Sequence, residues 1–150
     1  MKIRKLTQEE PAPMDLLLLA DPSPELVNDY LVQGECFIAE DEGDVIGVYV
    51  LIPIETGTIE LINIAVSESH QGRGFGKRLI MDAIEQAKRE GYQKIEIGTG
   101  NSSIHQLALY QKCGFRITGI DQDFFIRNYE EEIYENGIQC RDMIRLTLYL

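Results

Sequence analysis

Eight residues, Gln71-Gly72-Arg73-Gly74-Phe75-Gly76-Lys77-Arg78, lie between an apolar run ending at Val66 and an amphipathic run beginning near Leu79. Small residues let a backbone turn tightly and approach a ligand. The helix expected next turns its unpaired first amides and its positive dipole end into the same space. This is chemistry for an anion, phosphate above all. Arg73, Lys77 and Arg78 are ordinary surface charges or phosphate contacts; cations at a helix start work against the dipole, and a phosphate contact explains their placement in a chain of net charge -11. Two nucleotide loops are excluded by counting. The dinucleotide fingerprint asks for a third glycine where Lys77 stands, counting from Gly72. The P-loop asks for glycine at Gln71 and Ser or Thr at Arg78.

What the loop does match is Gln/Arg-x-x-Gly-x-Gly/Ala, a turn for the pyrophosphate of coenzyme A. Further along, Leu107-Ala108-Leu109-Tyr110-Gln111-Lys112-Cys113-Gly114-Phe115 forms a second motif, a short helix carrying a tyrosine and closed by Gly-Phe. With the two motifs in this order, the chain resembles the GNAT superfamily of acetyl-CoA-dependent N-acetyltransferases from about Glu60 to Phe115. The resemblance implies acetyl-CoA as cosubstrate and an α/β (α+β) fold. In that fold a mixed, mostly antiparallel twisted sheet is flanked by helices, and strands four and five, here Thr58 to Val66 and Lys94 to Ile97, run parallel and splay apart around the cofactor. It also implies that the backbone of Ile64, Ala65 and Val66 lines the pantetheine arm. Gln71, Gly72, Arg73, Gly74, Phe75, Gly76 and Lys77 would hold the pyrophosphate, and Tyr110 would stand beside the sulfur. One position departs from the pattern. Family members often carry asparagine seven residues before the tyrosine; Ser103 is there and Asn101 lies two residues further back, so that cofactor contact falls to either or to neither.

Moving acetyl from a thioester to an amine needs a neutral nucleophile, a stabilised oxyanion and a donor for the leaving thiolate. An amine of pKa near 10.4 is neutral only about one part in a few thousand at pH 7, a handicap of about 4 to 5 kcal/mol. A base is therefore worth having. Glu60 is the candidate, a charged residue at the mouth of the apolar run Leu61-Ile62-Asn63-Ile64-Ala65-Val66; a solvated strand-end carboxylate is the alternative. Asn63 reads as a satisfied core amide before a substrate-orienting group. Tyr110 is the acid or hydrogen-bond donor, with core packing as its alternative. Cys113 precedes Gly114 with no histidine placed to activate it, so direct transfer without a covalent intermediate is expected. A non-catalytic acyl-CoA sensor would carry the same loop and would show no turnover.

Positioning these groups requires alternating strands and helices. Strands are expected over Lys2 to Leu6, Cys36 to Glu40, Val45 to Ile52, Thr58 to Val66, Lys94 to Ile97, Phe115 to Ile120 and Met143 to Tyr149. Helices are expected over Pro13 to Ala20, Pro24 to Val32, Gly76 to Glu90 and 104 to 112. The stripe Leu79, Ile80, Ala83, Ile84 and Ala87 marks the long helix as one that packs on a sheet. Asp121 to Asp142 is left as a long polar connection, whose acidic residues either cradle a cationic amine or simply face water.

A length of 150 residues with 44% hydrophobic content suits a single domain over 1–150. The acidic balance argues against a nucleic-acid partner. No segment reads as a leader or membrane span. Cys36, Cys113 and Cys140 share no metal-like spacing with one another or with His70 and His105, so no metal is expected and a reducing cytoplasm is the expected home. The acceptor class is an amine of a small molecule or peptide, and a homodimer could pair through the strand Met143 to Tyr149.

Overall fold

Alternating apolar residues and tight left-handed turns build the first half of the sheet. The computed structural model describes residues 1–150. Strand β1 is Lys2–Lys5, and helices α1 (Met14–Ala20) and α2 (Pro24–Gln33) follow it. Ser23 caps α2 by accepting the amide of Leu26, and Pro24 opens it. Strands β2 (Glu35–Asp41) and β3 (Asp44–Glu55) turn at Glu42 and Gly43, with φ of 51° and 85°. Both central residues of such a two-residue hairpin need positive φ. Then come β4 (Thr58–Val66), a single 3-10 turn (Glu68–His70), α3 (Phe75–Arg89), β5 (Lys94–Gly100), α4 (Ile104–Lys112) and β6 (Arg116–Asp121). The late segment holds α5 (Phe124–Asn128) and a small hairpin, β7 (Tyr134–Glu135) with β8 (Ile138–Gln139), before β9 (Met143–Tyr149) closes the chain.

Seven strands form one sheet in the order β1-β2-β3-β4-β5-β9-β6, antiparallel except for the parallel pair β4–β5. The expected mixed sheet with parallel fourth and fifth strands is present. One face packs on α3 and α4, where Leu79, Ile80, Ala83, Ile84, Ala87 and Tyr110 join Ile59, Leu61, Ile95, Ile97 and Leu146 in the larger core. The other face takes α1 and α2, with Leu16, Leu17, Val27 and Tyr30 against Ile38, Val48, Val50 and Ala65. No helix is long and apolar enough to cross a membrane.

Two expectations need correction. Strand β9 lies between β5 and β6 and pairs with both. Its edges are spent, so it cannot also pair across a dimer. The connection from Asp121 to Asp142 is not structureless: it contains α5 and a hairpin that turns on Asn136-Gly137, with φ of 56° and 74°.

Gly34, between α2 and β2, shows how closely the second layer is set. A Cβ there would lie 2.6 Å from the Leu51 carbonyl and 3.1 Å from that of Tyr30, both backbone atoms that cannot swing away. Gly34→Ala is expected to cost about 1 to 3 kcal/mol of stability, the range for overpacking. Chemical denaturation would register it as a lower midpoint at an unchanged slope.

Candidate active site

The parallel pairing of β4 with β5 runs only from Thr58↔Lys94 to Leu61↔Ile97. Beyond that point β4 continues to Val66 and β5 to Gly100 without pairing with each other, so the strands part. The split begins at a bulge. On the β3 side, Val50 pairs with Asn63 and Leu51 with Leu61, which leaves Ile62 as the extra residue. Bulges bend the strand that carries them and shift its face assignment by one. Accordingly Ile59 and Leu61 face α3, while Ile62, Asn63 and Ala65 belong to the α1–α2 side, and Ile64 and Val66 return to the α3 side. Ile64, Ala65 and Val66 therefore border the gap on the length of β4 that β5 leaves unpaired.

At the end of β4 the loop turns into α3. Gly72 and Gly74 have φ of 75° and 82°, and a Cβ on either would meet nothing within 4 Å. Backbone conformation, not space, demands glycine there. Gly74 stands at the N-terminus of α3 without any side-chain cap. The first helical bond is the Arg78 amide to the Gly74 carbonyl, and none of the amides of Gly72, Arg73, Gly74, Phe75, Gly76 and Lys77 finds an acceptor within the chain. Arg73, Lys77 and Arg78 join no ion pair. Arg73 lies over the Phe75 ring at 5.2 Å, and the Gln71 side-chain amide donates to the Val66 carbonyl at 3.0 Å, tying the loop to the strand. Six backbone donors without partners in one loop, together with three cations that join no ion pair, suit a pyrophosphate.

Tyr110 reaches the same face from α4. Its ring is packed beside Phe115 at 6.4 Å and the residue is only 5% exposed. Burial pushes its hydroxyl pKa well above the ordinary tyrosine value, with the neighbouring Cys113 adding to the rise. The hydroxyl makes no hydrogen bond in the chain, yet it is not sealed, since Oδ1 of Asn63 is the one fully enclosed side-chain polar atom without a partner. A buried phenol of this kind keeps its proton and has it free to share.

Glu60 sits on the opposite face. Its neighbours Ile59 and Leu61 point into the α3 core, so Glu60 points towards α1, α2 and α5, beside Glu96 of β5 and with Arg145 of β9 at 3.7 Å. Burial raises its carboxyl pKa; the Arg145 guanidinium partly opposes this and Glu96 adds to it. Asn63 shares this face and is 3% exposed. Its amide nitrogen donates to the Leu17 carbonyl at 3.0 Å and to the Tyr30 hydroxyl at 2.7 Å. Tyr30 and Tyr129 both donate to Asp21, so one polar chain links β4, α1, α2 and the segment after α5. The amide nitrogen of Asn63 is thus satisfied as its sequence setting suggests, whereas its Oδ1 is enclosed without a partner.

The polar side-chain atoms of Asn101 and Ser103 are engaged elsewhere. Asn101 donates to the Gln139 carbonyl and accepts the amides of Arg141 and Asp142, while Ser103 donates to Glu135 at 2.8 Å. They pin the late segment to the end of β5, and a cofactor contact from either would have to share or displace these bonds. Much of that segment's acidity is internally spent: Asp121 pairs with Arg127 and Asp123 with Arg141, and Glu130, Glu131 and Glu132 face water. The cysteines are free, and burial raises all three thiols, Cys36 to about 11. A raised thiol offers little thiolate.

Arg145 was not among the candidate residues. Strand alternation from Ile144 and Leu146 would have put it on the non-core face, but its register opposite Gly98 depends on long-range pairing.

Residues 4–115 match the model of the family described as Acetyltransferase (GNAT) family. The chain is 63% identical over 136 residues to the uncharacterized N-acetyltransferase YvbK of Bacillus subtilis, covering 91% of this chain and 88% of that protein. A GNAT family acetyltransferase from Elizabethkingia anophelis, solved with acetyl-CoA bound, superposes with a TM-score of 0.98 at 53% identity, over 99% of this chain and 97% of that one. An acetyltransferase of Bacillus subtilis in complex with CoA gives a TM-score of 0.95 at 58% identity, over 99% and 98% of the two chains.

Proposed function

The chain belongs to the acetyltransferase (GNAT) family and is an acetyl-CoA-dependent acetyltransferase, and from that premise we propose that it acetylates a primary amine of a small molecule or peptide directly, without a covalent enzyme intermediate. The observation that carries the reading is the arrangement about the split between β4 and β5. The free amides of Gly72 to Lys77 and the unpaired hydroxyl of Tyr110 lie with α3 and α4, and the partly buried carboxylate of Glu60 lies on the opposite face. Two ligands entering from opposite faces can meet in the gap, so no residue is needed to carry the acyl group between them.

Acetyl-CoA supplies the thioester. In the proposed assignment the loop amides with Arg73 and Lys77 hold its pyrophosphate, and the backbone of Ile64, Ala65 and Val66 orients the arm. Glu60 removes a proton from the incoming ammonium, a task for which a carboxylate pKa raised towards that of the amine is better suited than an ordinary one. Tyr110 holds its proton towards the leaving sulfur. Because its pKa is raised well above the range near 8.5 typical of a thiol, it donates a hydrogen bond instead of surrendering the proton outright.

Thermal unfolding with acetyl-CoA, coenzyme A, NAD and ATP in parallel tests the binding half. A ligand at a hundred times its Kd adds about 2.7 kcal/mol, a shift of several degrees. Only the two coenzyme A compounds should produce it; an equal response to NAD or ATP would count against the loop assignment. Gly74→Val adds a quantitative check. A β-branched residue at φ +82° costs about 1 to 2 kcal/mol or forces the loop to rotate its amides away. The acetyl-CoA Kd should therefore rise about tenfold. An unchanged Kd in calorimetric titration would remove Gly74 from the site.

A further inference from the structure

The acceptor side of the gap carries an unusual set of unspent charges. Glu60 and Glu96 are register partners on adjacent strands and face the same way. Neighbouring strands are about 4.8 Å apart, so two carboxylates abreast repel unless they are countered. Arg145 counters one of them. Its guanidinium lies across β5, where a Cβ on Gly98 would come within 3.6 Å of it, and ends 3.7 Å from Glu60 with the Phe124 ring at 6.0 Å. At that separation it is an ion pair without a hydrogen bond. None of Arg145's five N–H donors finds an acceptor in the chain, and neither Glu60 nor Glu96 accepts a hydrogen bond. The site thus offers a pair of carboxylates to an ammonium and, beside them, a planar fork of donors that makes no hydrogen bond.

We propose that the acceptor is a zwitterion of the amino acid type, whose ammonium lies against Glu60 and Glu96 and whose carboxylate is bound by Arg145. This rests on the proposed acetyl transfer and narrows its acceptor from amines in general to amines that carry their own carboxylate close by. A guanidinium matches a carboxylate in a bidentate geometry that an amide or an uncharged group cannot reproduce. A polyamine would bring a second positive charge up to Arg145, and a peptide would hold its terminal carboxylate too far from its terminal amine. The wall beyond Arg145 is aromatic. Phe124 meets Phe125 edge to face at 5.1 Å and Phe125 stacks on Tyr129 at 5.5 Å, which favours an apolar side chain on the acceptor.

The test compares acceptors on the protein at saturating acetyl-CoA, reading thiol release and product amide. Free L-amino acids are set against their amides, their decarboxylated amines and a tetrapeptide with a free N-terminus. The wild type should favour the amino acids over their amides on the order of ten- to a hundredfold in kcat/KM, the worth of a hydrogen-bonded charge. Arg145→Gln should bring that ratio to near one, chiefly through KM, and Arg145→Lys should keep part of it. The ratio is the readout, because Arg145 also offsets the charge of Glu60 and its loss alters the rate on every acceptor. Wild-type protein that accepts the amides or decarboxylated amines equally well, or prefers the peptide, would overturn the proposal and leave acetyl transfer standing. Retention of the preference in Arg145→Gln would overturn it too. No turnover of any amine by protein that still binds acetyl-CoA would overturn the transfer reading itself. The wild-type arm decides even if the variants fold poorly.

Discussion

Glu60→Gln should lower kcat/KM on the order of a hundred- to ten-thousandfold, the range spanned by a general base, with little change in acetyl-CoA affinity. The substitution keeps the shape of the side chain and its place beside Glu96 and Arg145, and removes only the ability to take a proton. Burial, the largest influence on this carboxyl, lifts its pKa, Arg145 partly offsets the rise and Glu96 reinforces it. A base works as its anion. The wild-type rate should therefore climb with pH through an acid limb that lies above the ordinary glutamate range near 4.3, and in Glu60→Gln that limb should vanish. Stability provides the control. A carboxyl whose folded pKa is raised contributes stability at low pH that is lost as pH rises through that pKa, so at neutral pH the charged Glu60 is already a burden on the fold. Glu60→Gln should melt no lower than the wild type at pH 7, and its loss of rate cannot then be ascribed to unfolding. A variant that kept the wild-type rate and acid limb would exclude Glu60 as the base.

The second large effect is at Tyr110. Tyr110→Phe removes one oxygen from a ring that is 5% exposed and packed against Phe115, and that oxygen has no hydrogen bond in the chain to lose. Stability should stay within about 0.5 kcal/mol, as expected when no intramolecular partner is orphaned. The rate should not. A hydrogen bond to a developing thiolate is worth about 1.5 to 3 kcal/mol, so kcat should fall roughly ten- to a hundredfold while the acetyl-CoA Kd changes little. A full-rate Tyr110→Phe enzyme would leave Tyr110 as a core residue only. Equal losses in stability and rate would say the same.

The turn at Gly72 and Gly74, the stripe of α3 and the tyrosine of α4 were legible because each depends on residues near one another in the chain. Positive φ asks for glycine locally, and the stripe Leu79, Ile80, Ala83, Ile84 and Ala87 is a local periodicity that the structure buries in full. What stayed hidden depends on pairing across the sheet. The extra residue Ile62 shifts the faces of β4, and no single-strand pattern reports that Val50 opposes Asn63 while Leu51 opposes Leu61. That Glu60 and Tyr110 lie on opposite faces follows from α4 packing on the face that Ile59 and Leu61 share, another long-range contact. Arg145 depends on strand pairing, since it reaches Glu60 only because β9 sits beside β5 with Arg145 opposite Gly98. The hairpin in the late segment is a different case. Asn136-Gly137 is a strong local turn signal, but the strands it joins are two residues each and too short to show alternation. Asn101 and Ser103 stand out by their position before Tyr110, whereas their partners Gln139, Arg141, Asp142 and Glu135 lie some thirty to forty residues away.

Direct transfer between ligands on two faces of one gap has a kinetic signature, read from initial rates over a matrix of acetyl-CoA and amine concentrations. The double-reciprocal lines should intersect, and no thiol should be released until amine is added, because both ligands must be present before the acyl group moves. Parallel lines, with about one equivalent of thiol released per enzyme in the absence of amine, would show an acyl group parked on the protein and would contradict direct transfer.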